Sequence, residues 1–400
     1  MQIVSVLIPL GLPGPYDYAV PPNMSVRVGD FVRVPLGPRR VNGVVWQAPR
    51  TLGEGDLEPK KIKSIVELLD VPALSEQLRE FVDWVAAYVM SPPGSVLRQV
   101  MRVPTAFEPA KPLLAYRASS QRPDKMTSAR TRVFEALAQL PEGMGLTSPD
   151  LAREAKVSAS VIKGLLQGGF LQTYNLPGHK AFAQPDPDHL IRSFSGDQKI
   201  VTKDLSAAVG ERSFTTHLLD GVTGSGKTEV YFEAIAQALR ENRQALILLP
   251  EISLTTQFLE RFEARFGCAP ALWHSGLGPS ERRRTWREIA EGRVQVLVGA
   301  RSALFLPWQD LGVIIVDEEH DGGFKQEDGV IYNARDMAVV RARLASCPVI
   351  LSSATPSLES YVNGREGRYE IHKLAARHGG AAMPKIQLVD MRASPPPRGA

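Results

Sequence analysis

Along the first hundred residues apolar positions come in short bursts. Residues 3–10, 31–35, 41–46 and 62–69 are such bursts, and Gly and Pro punctuate the gaps. This is the pattern of a β-rich unit with brief strands and tight turns. The period then changes. Over 75–89, Leu78, Phe81, Val82, Val85 and Val89 recur on one helical face behind a capping Ser75, and Ser91-Pro92-Pro93-Gly94 stops the helix.

Residues 104–124 have linker composition. A helix is predicted over 131–140, a second from Ser148-Pro149-Asp150 with Pro in its first turn, and a third from Val157-Ser158 to Gly168-Gly169. Phe170-Leu171 then returns as a strand. Three short helices followed by a hairpin fit a winged helix; a plain helical linker domain is the alternative. Residues 177–187 form another Pro-rich linker. From about 190, short continuous apolar strands (245–249, 294–298, 313–316, 349–351) alternate with amphipathic helices (229–240, 254–266, 280–291, 335–344). That alternation predicts a parallel sheet covered on both faces. The chain is therefore multidomain, with units at 1–105, 106–189 and 190–376, and a last stretch at 377–400.

Composition narrows the class. A 44% hydrophobic and 22% charged chain of 400 residues can bury several cores. A formal net charge of +4 permits a polyanionic partner without demanding one. Two separated cysteines, Cys268 and Cys347, build neither a disulfide scaffold nor a zinc site and suit a reducing, cytoplasmic compartment. The apolar start lacks a basic leader and is broken by Gly and Pro, and no run is long enough to cross a membrane.

The strongest chemical signal is GVTGSGKT, which is Gly221, Val222, Thr223, Gly224, Ser225, Gly226, Lys227 and Thr228. A strand ends before it and a helix follows, the context a phosphate-binding loop requires. The glycines let backbone N–H groups wrap phosphate at a helix N-terminus. Lys227 can neutralise the β- and γ-phosphates of ATP, and the Thr228 hydroxyl can hold Mg²⁺. VIIVDEEHD, residues 313–321, delivers acids at the end of a second strand. Asp317 is expected to hold Mg²⁺, and Glu318 to orient and deprotonate the attacking water. His320 reads either as a hydrogen-bonded structural residue or as the group that passes the nucleotide state to a DNA site. Ser353-Ala354-Thr355, after the strand at 349–351, can couple hydrolysis to motion.

The order of P-loop, PEI-x-LT (250–255), GARSA (299–303), DEEH and SATPS (353–357) resembles superfamily 2 helicases. The fuller strings GVTGSGKTEVY, LPEISLT, HSGL, GARSALFLP and VDEEHDGGFKQEDGVIYNARD are similar to those of the PriA family of replication-restart helicases. The resemblance covers essentially the whole chain. It implies a 3′-to-5′ DNA helicase, dependent on ATP and Mg²⁺, that recognises stalled or abandoned forks and starts primosome assembly. The implied parts are a β-rich DNA-binding domain, a winged helix and a RecA-like α/β P-loop lobe.

The resemblance also assigns residues. Tyr16, Asp17, Gly37 and Lys63 match positions that capture a 3′-hydroxyl end, where ring stacking is worth roughly 1–3 kcal/mol; ordinary hairpin surface is their other reading. Phe324, Lys325, Gln326, Tyr332 and Arg335 match an aromatic-rich loop that senses single-stranded DNA, although Phe324 can equally pack onto the lobe. Gly322-Gly323 stands where hydroxyl residues are common in the family, so a more mobile loop is expected. Gln198 matches a glutamine that reads adenine. Single-strand-binding protein and primosome components are the implied partners, and a monomer is expected. The family's zinc-binding cysteines have no counterpart here. Residues 386–390 look like the start of a second lobe, so an N-terminal fragment without the second-lobe arginine fingers is expected. Those fingers are worth roughly 10³–10⁵ in rate. A non-catalytic fork-binding, nucleotide-sensing platform is the alternative.

Overall fold

A computed structural model of the chain describes residues 1–53, 58–108, 113–140, 145–176, 181–194, 196–250 and 256–375. It divides into two compact units, Met1–Val103 with Ala183–Ala400, and Pro104–Phe182. The expected PEI-x-LT residues 251–255 and the expected second-lobe start lie outside the described residues.

The N-terminal strands are β1 (Gln2–Leu7), β2 (Tyr16–Ala19), β3 (Phe31–Leu36), β4 (Arg39–Val45), β5 (Arg50–Thr51) and β6 (Glu67–Leu68). They form one antiparallel sheet in the order β2-β1-β4-β3-β6, with β5 on β1. Alternation turns Val4, Val6, Val32 and Val34 to one core with Tyr18 and Ile65. Of the expected strand at 62–69 only β6 forms, preceded by an isolated bridge from Ala19 to Ser64. Helix α1 (Glu76–Tyr88) starts where Ser75 accepts from the Leu78 N–H.

The Pro-Pro-Gly that stops α1 also starts a helix the sequence reading lacked, α2 (Pro93–Val100). Pro93 sits in the first turn, where its missing N–H costs nothing. Gly94 lies so close to β1 and the residues after it that a Cβ would meet the Ile8 and Leu10 carbonyls at 2.3 and 2.1 Å.

The unit Pro104–Phe182 contains β7 (Leu113–Ala118), α3 (Ser128–Ala138), β8 (Leu146–Thr147), α4 (Ser148–Glu154), α5 (Ala159–Gln167) and β9 (Leu171–Leu176). Thr127 caps α3 and Thr147 caps α4. Val133, Leu137, Leu151, Ile162 and Leu165 form its core. The expected linker at 104–124 thus holds a strand. Among the described residues, the hairpin expected after the third helix is β9 paired antiparallel with β7, in a sheet ordered β8-β7-β9.

The remaining elements are α6 (Gly196–Gly210), β10 (Thr216–Gly221), α7 (Lys227–Arg240), β11 (Gln244–Leu248), α8 (Thr256–Phe266), β12 (Ala271–Trp273), α9 (Pro279–Ala290), β13 (Val296–Gly299), β14 (Leu311–Asp317), β15 (Lys325–Gln326), β16 (Tyr332–Asn333), α10 (Ala334–Leu344), β17 (Val349–Ser353), α11 (Leu358–Arg365) and β18 (Glu370–Leu374). Seven strands form a parallel sheet in the order β12-β13-β11-β14-β17-β10-β18. Helices α6, α7 and α8 share a core with one face of it, and α10 packs on β14 and β17. The central strands are buried on both faces, which is why they read as continuous apolar runs.

The N-terminal helices join this lobe in one unit. Trp286 Nε1 donates to the Val100 carbonyl at 2.9 Å, and its ring meets Phe31 edge-on. Phe81 packs on Phe305 and under the buried Arg341 guanidinium.

Candidate functional site

The loop between β10 and α7 is shaped by glycines that only glycine suits. Gly224 and Gly226 take φ of 82° and 85°. A Cβ on Gly221 would lie 2.6 Å from Ser225 Oγ. Ser225 Oγ is buried with no hydrogen-bond partner among the described residues, the mark of a loop built around something polar. Gln198, on α6, donates from Nε2 to the Ser225 carbonyl at 2.8 Å and so braces the loop from behind. Lys227 is buried at the first turn of α7, its Nζ donating to the Gly221 carbonyl at 2.7 Å.

Two strands away in the same sheet, β14 ends on Asp317. Its carboxylate accepts from Tyr231 Oη and Ser352 Oγ, both at 2.8 Å, and from the Glu318 N–H at 3.1 Å. Burial beside this carboxylate holds the Tyr231 hydroxyl well above its usual range, so it stays a donor. Glu318 has φ of 51°, rare for a residue with a side chain and characteristic of functional turns. Burial first, and Asp317 second, raise its carboxyl; Lys227 and His320 pull the other way.

One cavity of about 710 Å³ brings the two halves together, with Gln198, Thr223, Lys227, Thr228, Asp317 and Glu318 among its lining. Arg192 and Arg261 line its rim, both ion-paired with Glu229. The expected juxtaposition of Lys227 and Asp317 is therefore present.

Behind the acids sits a hydrogen-bonded network. His320 Nδ1 lies 2.8 Å from Ser353 Oγ, which also accepts from the Thr355 N–H. Its neighbour Glu319, to which the sequence reading gave no role, is fully buried. It accepts from Ser357 N and Oγ and from Ser360 Oγ at 2.7–3.0 Å, and pairs with Arg335 at 3.4 Å. The DEEH and SATPS segments are thus tied through Glu319 as well as through His320. The only signal in sequence was an acid between the assigned Glu318 and His320.

Of the five residues in the loop expected to meet DNA, three are buried. Phe324 is 1% exposed and Tyr332 4%, with Tyr332 edge-on against Phe305 and its hydroxyl pushed up to about 12 by burial. Arg335 is 8% exposed and bonded to Glu319, Asp336 and Ser357. These three pack within the lobe, because rings and a fully paired guanidinium gain by burial; Lys325 and Gln326 remain accessible. Gly322-Gly323 is held by hydrogen bonds. It lies in a short 3₁₀ turn capped by Asp321, and Arg301 of GARSA donates to the Gly323 and Lys325 carbonyls at 2.9 and 2.8 Å.

At the N-terminus Lys63 Nζ approaches the Gly37 carbonyl at 3.4 Å, and Gly37 turns the β3–β4 hairpin at φ 58°. Tyr16 is 40% exposed at the start of β2. Strand alternation puts Asp17 on the opposite face from Tyr16. Asp17 accepts from Ser5 Oγ at 2.6 Å and pairs with Arg50 at 2.8 Å. The structure joins Gly37 and Lys63 directly and gives Asp17 a cationic partner that was not foreseen.

Comparison with known proteins agrees with this layout. Residues 5–102 match the PriA 3′DNA-binding domain (3′BD) family, and residues 198–363 match the DEAD/DEAH box helicase family. The chain is 31% identical to the replication restart protein PriA of Bacillus subtilis (strain 168), covering 94% of this chain and 56% of that one. It is 35% identical to the PriA of Chlamydia pneumoniae, covering 94% and 51%. A solved structure of RecG bound to a three-way DNA junction aligns at TM-score 0.36 and 20% identity, over 47% of this chain and 24% of that one. The chain spans about half the length of the curated relatives it matches.

Proposed function

The chain belongs to the PriA replication restart family, and we propose that it is the fork-recognising, ATP-binding front part of a 3′-to-5′ DNA helicase that restarts replication. The observation that carries this reading is the single cavity lined by Lys227, Thr228, Asp317 and Glu318. Its residues fit a magnesium nucleotide. The loop is wrapped by glycines, the buried Ser225 Oγ has no partner among the described residues, and the cavity is of ligand size.

The roles follow from position. Mg²⁺-bound ATP supplies the phosphoryl group whose transfer to water drives the motor. Lys227 would leave the Gly221 carbonyl to meet phosphate oxygens, while the loop N–H groups and the N-terminus of α7 hold the rest. Thr228 and Asp317 would hold the metal, Asp317 being aimed by Tyr231 and Ser352. Glu318 would accept the proton of the attacking water, its raised affinity for protons suiting a base. His320 and Glu319 would pass the nucleotide state to the SATPS segment and α10.

For DNA, we assign the fork-facing work to three places. The unit 104–182 serves as a winged helix that meets duplex phosphates. Tyr16, Gly37, Lys63 and Asp17 capture a 3′ end, with Arg50 shared between Asp17 and the DNA. Single-stranded DNA passes a basic cavity of about 260 Å³ lined by Arg102, His274, Arg282, Arg301 and Gln326, with Lys325 beside it. A cytoplasmic monomer that meets single-strand-binding protein and primosome components completes the reading.

The test is binding of a fluorescent ATP analogue and of forked DNA by the 400-residue chain. Lys227→Ala should abolish Mg²⁺-nucleotide binding and leave fork binding intact; equal loss of both would make the lysine structural. Asp17→Ala should weaken only forks with a 3′ end at the junction; a uniform loss would overturn end capture. Nucleotide binding without DNA-stimulated hydrolysis would assign this chain the role of a sensing platform.

A further inference from the structure

On the edge of the parallel sheet, at the far end of β10 from the phosphate loop, three metal-ligating side chains converge. His217 Nδ1 lies 3.0 Å from His372 Nε2 and 3.4 Å from a Glu370 carboxylate oxygen, and all three donor atoms lie within 4.8 Å of one another. The parallel register causes this. His217 pairs with Glu370 and Leu219 with His372, so one face of β10 and β18 presents all three. We propose that His217, Glu370 and His372 form a Zn²⁺ site that pins the edge strand β18 to the strand carrying the P-loop.

Two observations support it. First, zinc bonded at about 2.0–2.1 Å in a tetrahedron holds its donors roughly 3.3 Å apart, and the two distances about His217, 3.0 and 3.4 Å, lie close to that, with the third pair within 4.8 Å. Second, the other nitrogen of the buried His217 is 2.9 Å from Thr215 Oγ1. With Nε2–H donating there, Nδ1 is left as a lone pair aimed at the cluster, the outer-shell arrangement that orients metal-bound histidine. Two imidazoles and one carboxylate suit Zn²⁺ rather than Mg²⁺, so this site is chemically distinct from the acids at the P-loop.

Its consequence is mechanical. β18 pairs only with β10 among the described residues. Two residues beyond His372, the Leu374 side chain packs on Gly221, and its carbonyl accepts from the Val222 N–H. A metal at the start of this strand pair braces the floor of the P-loop from roughly 13 Å away, four strand residues at about 3.3 Å each.

The experiment strips the 400-residue chain with chelator and titrates Co²⁺ as a spectroscopic probe, then displaces it with Zn²⁺. One equivalent giving the visible absorption of a four-coordinate site supports the proposal. Glu370→Gln, at an exposed position, and His372→Gln, which keeps a polar side chain there, should each weaken Zn²⁺ by at least about 100-fold. Thr215→Val should weaken it about 10-fold, as loss of an orienting partner does. Asp317→Asn should leave the band unchanged. Absence of stoichiometric binding overturns the proposal. So does a band that survives in His372→Gln with native circular dichroism, or one that vanishes in Asp317→Asn.

Discussion

Residues 317–320 and 324–335 are neighbours in sequence, and the fold uses them in opposite ways. In the first stretch Asp317 and Glu318 line the nucleotide-sized cavity where their chemistry places them. In the second, Phe324, Tyr332 and Arg335 match a DNA-sensing loop yet pack inside the lobe, leaving Lys325 and Gln326 outside. The difference is energetic. A carboxylate without a partner is costly to bury, so an acid at a strand end announces either a ligand or a network. An aromatic ring gains as much from a core as from a base, so its presence in a loop announces neither. Glu319 is the instructive exception: an acid that found a network.

The contrast can be broken most strongly at Glu319. Glu319→Ala removes one partner of the buried Arg335 and the acceptor of Ser357 N–H, Ser357 Oγ and Ser360 Oγ, and should cost about 3–5 kcal/mol in urea unfolding, whereas the exposed Glu327→Ala should stay within about 0.5 kcal/mol. A small loss at Glu319 would mean that the network is incidental. Phe324→Ala should likewise cost about 3–5 kcal/mol if the ring is core; a fold of unchanged stability with weakened DNA binding would restore the ring to the DNA face. Ser352→Ala removes one bond to a charged acceptor, about 1.5–3 kcal/mol, and should appear as weaker Mg²⁺-nucleotide binding in calorimetry with DNA affinity untouched.

Two smaller effects sharpen the comparison. Lys325→Ala should leave stability unchanged and reduce the salt slope of single-stranded DNA binding by about one. Glu318 supplies the pH signature. Its folded proton affinity is raised, so the folded state binds more protons in the window just above the ordinary carboxylate range. Stability from this group is full below the unfolded value and lost as pH rises through the folded one. Glu318→Gln should therefore be more stable at neutral pH, by no more than a few tenths of a kcal/mol because the side chain is partly solvated. The gap should close in acid; a gap that widens there would reverse the assignment.

Much of this was legible beforehand. Central strands buried on both faces read as apolar runs, and the P-loop glycines read as a phosphate-wrapping turn, in which Gly224 and Gly226 take positive φ. Ser75 announced α1. What failed to read has physical reasons. The Pro-Pro-Gly before α2 is both a stop and a start, and only the close approach of Gly94 to β1 decides between them. β18 carries Glu370, His372 and Lys373, so an edge strand looked like surface. α6 has a weak apolar face beneath charged neighbours. Arg50 and Arg301 act on residues far away in sequence, Asp17 and the Gly323 and Lys325 carbonyls, and no spacing rule connects such pairs.

The whole reading rests on Lys227 and Asp317 serving one magnesium nucleotide. Nucleotide affinity measured with and without Mg²⁺, in the native chain and in Asp317→Asn, examines that alone. The native chain should bind markedly tighter with Mg²⁺, and Asp317→Asn should bind equally in both conditions. An undiminished Mg²⁺ enhancement in Asp317→Asn would place the metal elsewhere and contradict the site.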